Sequence, residues 1–318
     1  MSKKILPIFP VKTHRLKARS IFIVLFISVC AVSLSRCAKT DTVLNRKMIL
    51  MGTEVRVTVV SKSPGAANYL KEAFSLIKKY DRMFNFYEKE SELSFINRRA
   101  MLEPVRVSSD MFEIIDKAVY YAEITHGTFD VTATSLQRKG GYGSIVLDKN
   151  ERTVYFKEPN AKIDLGGIAA GFCLDKVIEY FEDAGIENFL VDIGGDVYAH
   201  GLNAAGRLWR VGIRNPLRHE EIIEPFNLKN RAVTTSGNYI KKHIVNPASE
   251  SIAVSAEADN ILSVTVISGK ALDADVFATA FFVMGKDKTQ DFLKQMPQMH
   301  MRVIFIVNER GKPKLVRL

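Results

Sequence analysis

Residues Ile163–Asp175 have the sequence IDLGGIAAGFCLD, in which acidic residues flank three glycines. Gly166, Gly167 and Gly171 let another group approach the backbone closely, because glycine has no Cβ. The apolar residues that follow predict a helix, so the stretch is a strand end, a glycine turn and a helix N-terminus. Such a point suits a phosphate. The alternative is a tight turn packed beneath the helix, and a short glycine motif alone does not decide between them.

The basic charge of the chain is concentrated near its N-terminus. The 318 residues carry a formal charge of +10, but residues 1–40 contain eight of the 45 basic residues and no acidic residue. The remainder has 37 basic against 35 acidic residues. This balance argues against a nucleic-acid-binding body. The length allows one large domain or two ordinary ones.

The N-terminal segment resembles an export signal. Basic residues precede Ile21–Leu34, which is uncharged and short for a spanning helix. Leu34 lies three residues before Cys37, as in a bacterial lipoprotein signal, although Arg36 departs from the small residue expected there. The pattern predicts a signal over residues 1–37 with lipidation at Cys37; a second cysteine, Cys30, matches less well. The alternative is an uncleaved N-terminal anchor.

Downstream of the signal, strand and helix patterns alternate irregularly. We expect a polar linker over 38–47 and one domain over 48–318 with an α+β fold. Predicted strands cover 48–60, 144–147, 153–156, 188–193, 209–213, 261–267, 303–307 and 314–316. Predicted helices cover 66–84, 110–125, the segment after the glycine turn as far as 184, and 271–284. Only Cys173 remains in this domain, so no intrachain disulfide is available there.

The helix predicted over 271–284 carries a pair of oxygen-bearing side chains. Asp275 and Thr279 are spaced i, i+4, so both lie on one helix face. A carboxylate with a hydroxyl suits Mg²⁺, and an unpaired carboxylate in so apolar a helix would be costly. The alternative is that Asp275 only faces N–H groups of the first turn.

Several other residues each allow two roles when they are considered one at a time. His243 is either a general base or a loop histidine satisfied by backbone. Tyr87, Phe129 and Tyr239 either stack on a flat ring or belong to the core. Ser236 matches no serine-nucleophile motif, and the sequence contains no HExxH, CxxC or Walker A pattern.

Taken together, the motifs of the body resemble the ApbE family of bacterial flavin transferases. Eight segments match in order across nearly all of residues 48–318. They are Met51-Gly52-Thr53; Tyr87 with Ser91-Glu92-Leu93 and Asn97; Gly127–Thr132; Asp164–Ala169 with Gly171 and Asp175; Gly194-Gly195-Asp196; Thr235-Ser236-Gly237; His243-Ile244 with Pro247; and Asp275–Ala280 with Met284-Gly285.

The resemblance implies a single T-fold-like α+β domain that binds FAD and Mg²⁺. It implies metal ligation by Asp275, Thr279 and the backbone carbonyl of Gly167. Beside this, we take His243 as the candidate base for the acceptor hydroxyl. The residues that it places against FAD are Met51, Tyr87, Phe129, Asp130, Val131, Asp164, Ala170 and Val245.

By the same likeness the protein moves FMN from FAD to a threonine or serine hydroxyl of a partner and releases AMP. The partner would be an exported protein such as a membrane redox-complex subunit. The reaction would take place at the periplasmic face of the inner membrane. Two rival functions use the same residues: an FAD pyrophosphatase that gives FMN and AMP, and a flavin-binding lipoprotein without catalysis.

Two departures from the family pattern concern ligand binding. Ala170 stands where family members often carry a lysine, which removes a possible contact to FAD. The usual proline-x-threonine-glycine turn is Pro247-Ala248-Ser249-Glu250 here, followed by a long stretch to Asn260. We expect the acceptor or the adenine to be recognised differently at this loop.

Overall fold

An antiparallel sheet of eight strands forms the centre of the fold. The computed structural model describes residues 42–135, 140–238, 244–247, 251–252 and 260–318. The strands in this part are β1 Thr42–Leu50, β2 Thr53–Ser61, β3 Val105–Arg106, β4 Ile145–Asp148, β5 Thr153–Phe156, β6 Phe189–Ile193, β7 Asp196–His200, β8 Trp209–Asn215, β9 Arg218–Leu228, β10 Arg231–Ser236, β11 Val245–Asn246, β12 Ser251–Ile252, β13 Ile261–Ser268, β14 Arg302–Glu309 and β15 Lys312–Arg317. The large sheet has the order β1-β2-β6-β7-β10-β13-β14-β15, and every neighbouring pair is antiparallel.

Six α-helices accompany the strands in the described residues. They are α1 Ala66–Met83, α2 Glu92–Arg99, α3 Ser109–Ile124, α4 Ala169–Asp183, α5 Ala271–Met284 and α6 Lys286–Gln295. Ser91 and Ser108 cap α2 and α3, because their hydroxyls accept from the backbone N–H groups of Ser94 and Met111. Gly185 follows α4 with a φ of 69°, as expected for a helix-ending glycine. The predicted helices are therefore confirmed, with ends shifted by a residue or so.

The two faces of the large sheet are covered differently. Along β14, Val303 and Phe305 lie in the main core with the helices, whereas Ile304 and Ile306 lie in a second cluster with Phe226 of β9. This alternation is the period of two of a strand. Helices thus cover one face and the β8–β9 hairpin packs against the other. Ten of the 14 residues of α5 are buried, which explains why that helix is apolar on all sides.

The start of the domain differs from the expected linker followed by one strand. Residues 42–50 form β1, which pairs with β2 in the register Leu50↔Thr53. Met51 and Gly52 have φ values of 53° and 71°, as a two-residue hairpin turn requires. The linker over 38–47 and the single strand over 48–60 were wrong in residues 42–52, because the polar residues of β1 lie on an exposed strand.

Three further elements lack a clear pattern in the sequence. The strand β9 begins with charged residues, and α6 buries only Thr289 and Phe292. Gly194 and Gly195 form the two-residue turn of the β6–β7 hairpin, with φ values of 67° and 106°. The turn at Gly194 and Gly195 was expected from the sequence and is confirmed, whereas β7, β9 and α6 were missed: β7 has only five residues, and most side chains of β9 and α6 are not buried.

The predicted signal at 1–37, with Cys37, lies outside the described residues. Among the helices that the structure does describe, none combines the length and the apolar character needed to cross a bilayer.

Candidate functional site

Two carboxylates join α4 to α5 in a reciprocal way. Asp175 of α4 accepts hydrogen bonds from the backbone N–H groups of Ala271 (2.8 Å) and Leu272 (3.2 Å) at the start of α5. Asp275 of α5 accepts from the N–H of Gly171 in the first turn of α4 at 2.8 Å. Each carboxylate accepts from first-turn N–H groups of the other helix, which have no hydrogen-bond partner within their own helix. The pair therefore fixes how α5 presents its side chains to the glycine turn.

Gly171 allows this close approach. A Cβ on Gly171 would lie 2.7 Å from the Cβ of Asp275 and 2.8 Å from the carbonyl oxygen of Ala271. Such distances are shorter than any normal contact, so a side chain at this position would force the helices apart. The third glycine of the opening motif thus serves helix packing.

The carboxyl of Asp275 is largely shielded from solvent. Asp275 is 5% exposed, and burial raises its pKa to about 7, although the hydrogen bond from the Gly171 N–H lowers the pKa. At the start of β7, burial and then the charge of Asp275 raise the pKa of Asp196 well above its ordinary value, while the Thr234 hydroxyl lowers it. Two acidic groups near one another in such surroundings favour a bound cation.

Thr279 brings a hydroxyl to the glycine turn one helical turn beyond Asp275. A Cβ built on Gly167 would lie 3.7 Å from Thr279 Oγ1 and 3.3 Å from the ring of Phe129. The hydroxyls of Thr279 and Ser236 lie 3.1 Å apart. The structure therefore brings together the glycine turn, α5, the end of β10 and the loop that carries Phe129.

These residues fit a hard divalent cation. The carboxylate of Asp275, the hydroxyl of Thr279 and the carbonyl of Gly167 are the kinds of oxygen donor that Mg²⁺ takes. Nowhere in the described ranges could three or more His, Cys, Asp or Glu side chains together hold a metal. A cation held by one carboxylate, one hydroxyl and one carbonyl would need substrate oxygens or waters to complete its shell.

The loop after α3 is held against the glycine turn by backbone and side-chain bonds. Phe129 and Val131 are buried, and the carbonyl of Val131 accepts from the N–H of Asp164 at 2.8 Å. One carboxylate oxygen of Asp130 accepts from Thr132, and the other accepts from the N–H of Tyr142. Asp164 accepts from the N–H of Gly166 at 2.9 Å. Both acidic groups thus shape the loops in which they lie.

Met51 and Tyr87 lie on the segments around the end of α1. The N–H of Met51 donates to the carboxylate of Asp81 at 2.9 Å, and the N–H of Tyr87 donates to the side chain of Asn85 at the same distance. The Tyr87 residue is 90% exposed. Within the described residues these hydrogen bonds hold Met51 to α1 and Tyr87 to its own loop, and the link of both residues to Asp275 and Thr279 remains a prediction.

The segment around Val245 is attached beside the end of β10. The side chain of Asn238 accepts from the N–H of Ile244 at 3.0 Å and donates to its carbonyl at 3.3 Å. Val245 is half-buried in β11. His243, the candidate base, lies outside the described residues.

Sequence reasoning did not assign roles to Asp175, Asp196 and Ser236, although each falls in a quoted motif. Strand alternation could have placed Thr234 and Ser236 on one face of β10, together with the buried Ala232. The contact of that face with α5 has no local signal in the sequence, because the partners are more than 40 residues apart.

The capping carboxylate of Asp175 predicts a pH dependence of stability. Burial raises the pKa of Asp175 to about 6, against about 3.9 in an unfolded chain. Between these values the folded state holds a proton that the unfolded state has released, so the contribution of Asp175 falls as pH rises. We expect Asp175→Asn to remove this pH-dependent contribution to the free energy of unfolding.

The wild-type minus Asp175→Asn difference in the free energy of unfolding should therefore fall by about 1.4 kcal/mol per pH unit from about pH 4 to 6, and stay flat above. Denaturant titrations of both proteins across this range measure it. Asp148→Asn, at an exposed hairpin turn, is the control. A difference that is constant with pH would contradict the prediction.

The fold is α+β, and it brings oxygen donors that suit a divalent cation together between a glycine turn and a buried helix. The chain belongs to the ApbE family, whose model matches residues 51–143 and 134–305.

Named relatives and solved structures agree with this assignment. The FAD:protein FMN transferase of Treponema pallidum is 28% identical over 310 residues, covering 82% of this chain and 84% of that protein. The enzyme of the same name from Vibrio cholerae is 28% identical over 293 residues, covering 80% and 85%. The ApbE protein of Thermotoga maritima superposes with a TM-score of 0.75 at 26% identity, covering 87% of this chain and 97% of that one. The flavin transferase ApbE from Vibrio cholerae gives the same TM-score and coverage at 24% identity, which supports the fold.

Proposed function

We propose that this protein is an FAD:protein FMN transferase, a Mg²⁺-dependent enzyme that moves FMN from FAD to a threonine or serine hydroxyl and releases AMP. The observation that carries the proposal is the buried carboxylate of Asp275, aimed at the N-terminal turn of α4 beside Thr279 and Gly167. Membership of the ApbE family and the names of the relatives support it.

Asp275, Thr279 and the carbonyl of Gly167 would hold the Mg²⁺. When bound, this ion supplies positive charge that offsets the charge of the pyrophosphate and of the leaving AMP. The Gly171 N–H keeps the Asp275 carboxylate oriented before any ligand arrives, which limits reorganisation on binding. The carboxylate is largely shielded from water, because Asp275 is buried in an apolar helix.

The residues proposed to bind FAD fall into two groups. Phe129, Asp130 and Val131 are consecutive in the loop after α3, and the Val131 carbonyl joins this loop to Asp164 beside the glycine turn. The exposed ring of Tyr87 offers a flat face on which a ring of FAD can stack. Ala170, half-buried at the start of α4, brings no charge to the cofactor, so binding depends on these other contacts.

The transfer step exchanges one phosphorus–oxygen bond for another. The acceptor hydroxyl oxygen bonds to the phosphorus of the FMN half as the bond from that phosphorus to AMP breaks. The hydroxyl proton passes to His243, and AMP leaves with the bridging oxygen. His243 thus acts as general base in our proposal.

Replacing His243 by alanine is expected to slow FMN transfer by about a hundredfold or more, because a positioned general base contributes at least that factor. Binding of FAD should be unchanged, since the metal ligands and the aromatic contacts remain. Transfer is measured by flavin fluorescence of the acceptor in a denaturing gel, and FAD binding by titration. His300→Ala, on a turn between α6 and β14, is the control. Unchanged turnover in His243→Ala would exclude this base.

We also propose that the protein acts outside the cytoplasm, at the periplasmic face of the inner membrane, through a lipid on Cys37. The basic and apolar leader supports this location. The acceptor would be an exported subunit of a membrane redox complex.

Incubation of the protein with FAD, Mg²⁺ and an exported acceptor domain tests the function. A flavin-labelled acceptor band with one AMP per flavin supports the transferase. Free FMN and AMP without a labelled band would identify a pyrophosphatase. Bound FAD without AMP release would leave only a flavin-binding protein.

A further inference from the structure

The hydroxyl of Ser236 lies beside the proposed metal ligand Thr279. Ser236 is the last residue of β10, and its Oγ is 3.1 Å from Thr279 Oγ1 on α5. Both residues are half-buried. At this distance one hydroxyl donates its hydrogen to the other.

A bound cation would settle the direction of this hydrogen bond. An oxygen that ligates a cation gives a lone pair to the ion, so the hydrogen of Thr279 must point elsewhere. The Ser236 oxygen is an acceptor at the right distance for that hydrogen. Groups behind the ligands commonly orient them in this way, and their loss weakens metal binding by roughly 10- to 100-fold.

We propose that Ser236 is a positioning residue for the divalent cation: it accepts the hydrogen of Thr279 and so aims the Thr279 lone pair at the metal. This inference rests on the proposed function, since it assumes the metal site of the transferase. In this role Ser236 acts through Thr279 and is not itself a ligand of the metal.

The neighbouring residue provides a matched control. The Thr235 hydroxyl makes a similar bond, 2.8 Å long, to the hydroxyl of Thr265 on β13. Because successive residues of a strand point to opposite faces, this bond lies on the face away from α5. Thr235→Val removes a strand hydroxyl bond without affecting Thr279.

The experiment compares the wild type, Ser236→Ala and Thr235→Val as full chains. Mn²⁺ binding with FAD present and no acceptor is followed by electron paramagnetic resonance. The Mg²⁺ dependence of acceptor labelling is measured on the same preparations. For Ser236→Ala we expect about tenfold weaker Mn²⁺ binding and a matching rise in the Mg²⁺ needed for half-maximal transfer. The rate should recover at saturating Mg²⁺, which a general loss of structure would not allow.

The outcomes separate the inference from the function on which it rests. If wild type binds Mn²⁺ and labels the acceptor, but Ser236→Ala has wild-type affinity, the positioning role is overturned and the transferase stands. Equal weakening in Thr235→Val would also overturn it, since the loss of either β10 hydroxyl would then weaken metal binding. If wild type neither binds Mn²⁺ nor labels the acceptor, the proposed function fails and the inference fails with it.

Discussion

Asp275→Asn is expected to lower FMN transfer by about a thousandfold or more, while the domain stays folded. A bound metal contributes several kcal/mol of charge stabilisation, and each 1.36 kcal/mol corresponds to a factor of about ten in rate. Asparagine has nearly the same volume, and its carbonyl can still accept the hydrogen bond of the Gly171 N–H. The loss should therefore come from the missing negative charge. Steady-state labelling of the acceptor measures it, with circular dichroism to check the fold.

Asp273→Asn is the matched control for this variant. Asp273 lies on the same helix two residues earlier, where it accepts from the hydroxyl of Tyr121. Its replacement removes an equal charge from α5 at a different face, so transfer should stay near the wild-type rate. Mn²⁺ binding should be lost in Asp275→Asn and kept in Asp273→Asn. Full transfer activity in Asp275→Asn would remove the metal assignment.

Gly171→Ala is expected to destabilise the domain by about 3 kcal/mol and to reduce transfer at the same time. The added methyl would overlap the Cβ of Asp275, the carbonyl of Ala271 and the Cα of Leu272, all within 2.9 Å. Two of these atoms are backbone, so no side-chain rotation relieves the clash and the helices must separate. Separation lengthens the Gly171 to Asp275 hydrogen bond, which orients the carboxylate.

Denaturant unfolding and acceptor labelling test this prediction together. Gly143→Ala is the control, because nothing lies within 4 Å of a Cβ at that position. Its free energy of unfolding should change by no more than about 0.5 kcal/mol. If Gly171→Ala unfolds like Gly143→Ala, the two helices are not in such close contact as the geometry indicates.

Local patterns in the sequence were enough for most elements and for the cation pair. Helical spacing and serine caps placed α1 and α3, and α5 was found with the ends that the structure gives it. Asp275 and Thr279 are spaced i, i+4 within one helix, so their common face follows from the sequence alone. By contrast, the first six residues of β1 were taken for a linker, because an exposed edge strand rich in polar residues shows no hydrophobic period.

What the sequence determined by itself is therefore the class of fold, the glycine turn and helix start of the opening stretch, and the oxygen pair on α5. The strand end expected before that turn was wrong, because residues 161–165 lie in no strand. The motif order also determined the family. Only the tertiary structure decided what these features touch. The Gly171 to Asp275 bond joins residues 104 apart in sequence, the Asp175 cap joins residues 96 apart, and the Ser236 to Thr279 contact spans 43. Periodicity reports only which face of an element is buried. Which residues meet across two buried faces depends on how the sheet and the helices pack, and that packing placed the glycine of the opening stretch against the carboxylate of α5.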